Sequence, residues 1–207
     1  MRNLTFAGLT IGLSLFAAQC FAQDVGHGAD DYKLCAGCHG FKGEGNPLVN
    51  APSLAGQEDW YLERQIRNFR DGVRGASSAD KHGYAMAQMA RGLDSDETVS
   101  DIVAYIGTLP APNPQSTVDG DASRGKDHYS TCVACHGAAA EGNPALNAPA
   151  LATTGDWYQV RQLQLFKDGL RGAHPNDTYG QQMRPMAWVL ADDAAIRDVA
   201  SYINSLR

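Results

Sequence analysis

The sequence predicts an all-α chain built as two tandem helical domains, and three observations carry that prediction. Gly28–Leu109 aligns on Gly125–Leu206 at a constant offset of 97 residues, with 38 of the 82 positions identical and no insertion or deletion. Apolar residues recur at helical spacing in both copies, and no run alternates with the period of two that a half-buried strand requires. Between the copies, Pro110, Pro112 and Pro114 prevent a helix and favour an extended, stiff connector. The expected division is a first domain at residues 23–110, a linker at 111–119 and a second domain at 120–207.

Residues 1–22 stand apart. Met1-Arg2-Asn3 precedes an apolar run from Phe6 to Ala18 and then Cys20-Phe21-Ala22, the pattern of a secretory signal peptide cleaved after about Ala22. The run is shorter than the roughly 20 apolar residues of a membrane helix, and the bulky Gln19 before Cys20 argues against lipid attachment. Cleavage leaves 185 residues with 16 basic against 23 acidic groups, a net charge of −7. An acidic chain does not neutralise phosphates, which disfavours nucleic acid and anionic membrane as primary partners and favours a cationic protein surface.

Each copy then reads as a small helical bundle. Leu62, Ile66, Phe69 and Val73 share one helical face, and Leu163, Phe166 and Leu170 repeat it. Val99, Ile102, Val103, Ile106 and Leu109 form the stripe of a last helix capped near Ser95; Ile196, Val199, Ile203 and Leu206 repeat it after Asp192. Gly40–Ala55 and Arg74–Met89, rich in Gly, Pro, Asn and Ser, read as loops or short helices.

All four cysteines outside the leader lie in two pentapeptides, Cys35-Ala36-Gly37-Cys38-His39 and Cys132-Val133-Ala134-Cys135-His136. Thiols three residues apart on a helical turn can each form a thioether with a haem vinyl group, while the next residue, His, reaches the iron from the same side. Disulfides, a shared structural zinc and a redox-active dithiol also use C-x-x-C, but none explains the His after both pairs. Each copy is therefore expected to carry one covalent haem, held by Cys35 and Cys38 with His39, and by Cys132 and Cys135 with His136. A domain of under 90 residues has little core of its own, and an enclosed porphyrin, wrapped by the two loop stretches, supplies apolar burial. For the sixth ligand each copy offers two methionines in register, Met86 and Met89, then Met183 and Met186. A thioether closes the iron and suits electron transfer, and spacing alone leaves the choice within each pair open. His82 and His174 fall in the same stretches without a repeated counterpart and read as surface residues.

These residues resemble the class I c-type cytochromes, and in particular the two-domain, di-haem cytochrome c-four family of bacterial periplasms, over essentially the whole mature chain. Gly28 and Tyr32, with Gly125 and Tyr129, are similar to the first-helix glycine and aromatic of that class, which cross Tyr105 and Tyr202 on the last helix. Asn50-Ala51-Pro52 and Asn147-Ala148-Pro149 resemble the segment whose proline carbonyl accepts from the proximal imidazole. The resemblance implies Met86 and Met183 as ligands, because each precedes a leucine, Leu93 or Leu190, by seven residues. The Asp-Trp-Tyr and Arg-Gln pattern is also similar to haem domains fused or bound to oxidases and dehydrogenases.

The implied function is a soluble periplasmic electron carrier with two haem c groups and no catalytic residue. It would take single electrons from a quinol-oxidising complex or dehydrogenase and pass them to a terminal oxidase or reductase, meeting the membrane only peripherally, through these partners. Two rivals are a subunit of a larger oxidoreductase and a di-haem peroxidase-type enzyme, which would need an open iron. Arg64, Arg74, Arg161 and Arg171 have two readings, partners of buried haem propionates or solvated charge. Trp60 and Trp157 either donate their indole hydrogen to a propionate or pack between helices.

Overall fold

The computed structural model describes residues 23–207; the expected leader at residues 1–22 lies outside them. Among the described residues the chain is helical, with two isolated bridges, Asn46 to Ala51 and Asn143 to Ala148, in place of a sheet. The first domain comprises α1 (Val25–His39), α2 (Asp59–Arg70), α3 (Lys81–Ala90) and α4 (Asp96–Gly107). The second repeats it as α5 (Ala122–Tyr129), α6 (Val133–His136), α7 (Asp156–Lys167), α8 (Thr178–Trp188) and α9 (Asp193–Ser205).

Helix starts follow from short polar side chains that accept otherwise orphaned backbone donors. The Asp24 carboxylate caps α1 at Gly26 N and His27 N, Ser95 Oγ accepts from Thr98 N at α4, and Asp192 accepts from Ala195 N at α9. The loop stretch before each methionine contains α3 or α8, capped by Asp80 and Asp177 through Gly83 N and Gly180 N at 2.9 and 3.0 Å. Helix α2 stops at Arg70 and α7 at Lys167, because Gly72 and Gly169 take φ of 72° and 70°. Val73 and Leu170 therefore follow the helix instead of extending its apolar face.

First and last helices cross in both domains, and glycine permits the approach. A Cβ on Gly28 would lie 1.9 Å from the Asp101 carbonyl oxygen, and one on Gly125 2.0 Å from that of Asp198. Tyr32 stacks obliquely on Tyr105 with centroids 5.3 Å apart and donates its hydroxyl to Gly40 O at 2.8 Å. Tyr129 does the same with Tyr202 and Gly137 O. Around these crossings the cores gather Leu62, Ile66, Val99, Ile102, Val103 and Ile106 in one domain, and Leu190, Ile196, Val199 and Ile203 in the other.

The copies differ at the attachment motif. Helix α1 runs unbroken to His39, whereas its counterpart is interrupted between Tyr129 and Val133. There Ser130 Oγ donates to Asp127 O at 2.7 Å and Thr131 Oγ1 to His128 O at 3.3 Å, side-chain bonds that compete with the helical ladder. Lys33 and Leu34 occupy those positions in the first domain and offer no such competition. The connector is held by Asp156, buried at the start of α7. Its carboxylate accepts from Ser116 Oγ, Thr117 N, Thr117 Oγ1 and Val118 N at 2.6–3.1 Å.

Candidate cofactor sites and the wall between them

Each domain encloses one large cavity, about 1390 Å³ in the first and 1420 Å³ in the second, including the mouth. One wall is the attachment motif. His39 and His136 are buried, and Nδ1 of each lies 2.8 Å from the carbonyl of Pro52 or Pro149. A carbonyl only accepts, so Nδ1 carries the proton and Nε2 keeps a free lone pair, the tautomer an iron ligand needs. Burial also lowers the proton affinity of both imidazoles and outweighs the opposing carbonyl contact. None of the four cysteines is disulfide-bonded, and all four line the cavities. The two pairs line different cavities, Cys35 and Cys38 the first and Cys132 and Cys135 the second.

Helix α3 or α8 also contributes to the lining. Met86 and Met183 are half-buried there, while Met89 and Met186, which also line the cavities, are 47% and 40% exposed. Apolar lining comes from Leu54, Ile66, Phe69 and Ile106 in one domain and Leu151, Leu163, Phe166 and Ile203 in the other. A flat apolar ring fits such a slot, and cysteines, an imidazole and a thioether, the groups that hold a haem c, are all among its lining.

The two cavities meet at a shared wall of Tyr61, Gln65, Tyr158 and Gln162, which line both. The contacts obey a pseudo-two-fold relation in which residue i meets j and the equivalent of j meets the equivalent of i. Arg64 donates to Asn147 Oδ1 and O at 2.8 and 3.1 Å; Arg161 donates to Asn50 at 2.9 and 3.0 Å. Arg74 donates to Gln65, Gln162 and Tyr158 Oη at 2.7–3.0 Å, and Arg171 to Gln162, Tyr61 Oη and Gln65 at 2.8–3.3 Å. Arg74 and Arg171 are buried and Arg64 and Arg161 half-buried, which rules out solvated charge for the four. None forms an ion pair with a carboxylate among the described residues.

Burying guanidinium without an anion is expensive. Arg74 and Arg161 line the first cavity, Arg64 and Arg171 the second, and Nε of Arg74 and of Arg161 finds no acceptor. The propionates of a haem in each cavity would supply the missing negative charge, so the residues present fit the group. Trp60 Nε1 is likewise buried without a partner. Sequence reasoning missed Tyr61, Gln65, Tyr158 and Gln162 as interface residues. The signal was available, since Tyr61, Arg64 and Gln65 recur identically at helical spacing in the second copy, a polar face with no reason to be repeated on a solvated helix.

Fold and cavities together define a tandem haem protein of the c type. The cytochrome c family matches residues 26–110 and again 122–207. The chain belongs to that family, in its two-domain branch. It is 36% identical to cytochrome c4 of Azotobacter vinelandii over 96% of this chain and 95% of the relative. It is 31% identical to the thiosulfate dehydrogenase electron acceptor of Stutzerimonas stutzeri over 83% of this chain and 78% of that one. Reduced recombinant cytochrome c4 from Pseudomonas stutzeri superposes with a TM-score of 0.70 at 28% identity, covering 90% of this chain and all of that structure. The protein is thus a di-haem electron-transfer cytochrome with two covalent haem c groups.

Proposed function

We propose that the chain is a periplasmic respiratory carrier. In this reading Cys35, Cys38, Cys132 and Cys135 bear the haems, His39 with Met86 and His136 with Met183 close the irons, and the domains divide at the 111–119 linker. The observation that carries it is that an imidazole with a free Nε2 and a half-buried thioether line each cavity, in the same register of the repeat. When bound, the haem supplies one-electron chemistry; the chain's work is to hold it. Pro52 and Pro149 orient the imidazoles, the apolar walls exclude water, and the arginines neutralise charge at the shared wall. Electrons would come from a quinol-oxidising complex or dehydrogenase and leave to a terminal oxidase or reductase. Among the described residues no helix is long and apolar enough to cross a membrane.

Replacing Met86 or Met183 by Ala should each remove part of the sulfur-to-iron charge-transfer band and lower one of two potentials. If Met89→Ala or Met186→Ala did so instead, the ligand assignment is wrong. The same samples test for enzyme chemistry, because closed irons exclude carbon monoxide from the reduced native protein. A second reading, the electron acceptor of one dedicated dehydrogenase, is supported by the Stutzerimonas relative, whose name gives it that role toward thiosulfate dehydrogenase. Native mass and co-purification from periplasm separate a free carrier from a bound one.

A further inference from the structure

One carboxylate at the domain contact departs from the pseudo-symmetry. Glu58 sits at the N-cap of α2 but makes no capping bond. Its carboxylate crosses to the second domain and accepts from Ala150 N at 3.0 and 3.3 Å through both oxygens. Ala150 N belongs to the same peptide group as the Pro149 carbonyl, which accepts from His136 Nδ1 at 2.8 Å. One planar, conjugated unit therefore joins a negative charge on the first domain to the proximal imidazole of the second. The equivalent of Glu58 is Gly155, which has no side chain to reach the Pro52–Ser53 peptide behind His39. Glu58 is half-buried, and among the described residues no Lys, Arg or His forms an ion pair with it.

We propose that Glu58 is a positioning residue through which the first domain lowers the reduction potential of the second domain's haem. Two effects act in the same sense. A carboxylate that accepts from Ala150 N polarises the peptide, makes the Pro149 oxygen a stronger acceptor, and so makes His136 a more electron-rich ligand. An unpaired negative charge beside the site also favours the more positive, oxidised iron. Gly155 withholds both effects from the first haem. Interdomain packing thus contributes to where an electron rests between the two sites.

The inference rests on His136 as the iron ligand, and the test separates the two. Wild-type holoprotein and Glu58→Gln are titrated by spectroelectrochemistry, with 15N-histidine labelling to read His39 and His136 individually. In E58Q the electron distribution of the half-reduced protein should move several-fold toward the second haem, because the neutral amide keeps an acceptor for Ala150 N but removes the negative charge. The Nδ1 resonance of His136 should shift and that of His39 should stay. Ser53→Ala removes a different interdomain bond, Ser53 Oγ to Thr153 O at 3.1 Å, and should leave the second haem unmoved. Equal movement of both haems, movement of neither, or an equal effect of S53A overturns the proposal. A wild type without two His/Met haems fails the ligand assignment instead.

Discussion

A carboxylate fully removed from water must be matched by donors, and Asp156 is matched by the connector. Burial alone raises the affinity of its carboxyl for a proton. The bonds from Thr117 Oγ1, Thr117 N and Val118 N, with its neighbour Trp157 N, more than offset this and hold it below the ordinary 3.8. A depressed folded-state value means stability present above the unfolded value and lost as pH falls through the folded one. Asp156→Asn turns an amide NH₂ toward donors, so it should cost about 2–4 kcal/mol at neutral pH. It should also flatten the loss of stability below about pH 4, where the unfolded wild type binds a proton at Asp156 before the folded one does. Thermal melts of both proteins from pH 3 to 7 check this; parallel curves would mean that the charge of Asp156 contributes nothing.

At the scale of elements, the crossing of the first and last helices organises each domain. The contact is backbone against backbone at Gly28 and Gly125, so no side-chain rotation relieves a methyl placed there. Gly28→Ala and Gly125→Ala should each destabilise their own domain by about 2 kcal/mol or more, in the range of overpacked cores. Denaturant midpoints followed at the haem band would show this, with the altered domain melting first. Gly26→Ala, whose methyl would come no nearer than 3.1 Å to an Asp24 side-chain oxygen, serves as the mild comparison. The break between α5 and α6 belongs to this scale as well, since Ser130 and Thr131 divert carbonyls that Lys33 and Leu34 leave to the helix.

For the whole molecule, two matched haem domains do not make two equal haems. Near the proposed thioethers, Ala87-Gln88 faces Arg184-Pro185 and Arg91 faces Trp188, which is 64% exposed. Charge and solvent access near the two sites therefore differ, and both tune potential. A redox titration should resolve two one-electron steps. Residues 23–207 carry a charge of −7 before propionates are counted, and such a field reaches only about 10 Å at 0.1 M salt. Electron exchange with a cationic partner should therefore slow as ionic strength rises, measured by stopped flow. A single step with a salt-independent rate would contradict both expectations; a flat rate alone would point to local patches at the docking edge.

Much of this protein is local in origin and for that reason readable along the chain. C-x-x-C-H places two thiols and an imidazole on one helical turn whatever the rest of the fold does. Glycine and tyrosine at Gly28 and Tyr32, repeated at Gly125 and Tyr129, mark a helix crossing, and an unbroken offset of 97 residues implies two domains of one architecture. Even the ends of α2 and α7 were written in Asp71-Gly72 and Asp168-Gly169, although the apolar period ran past them. What only the tertiary structure decided is how the domains meet. Arg74 and Arg171 carry the same sequence signal as surface arginines, and Glu58 that of a solvated carboxylate. Their roles depend on partner residues 84 to 110 positions away, and pairing at that distance is set by packing, not by any pattern within a helix.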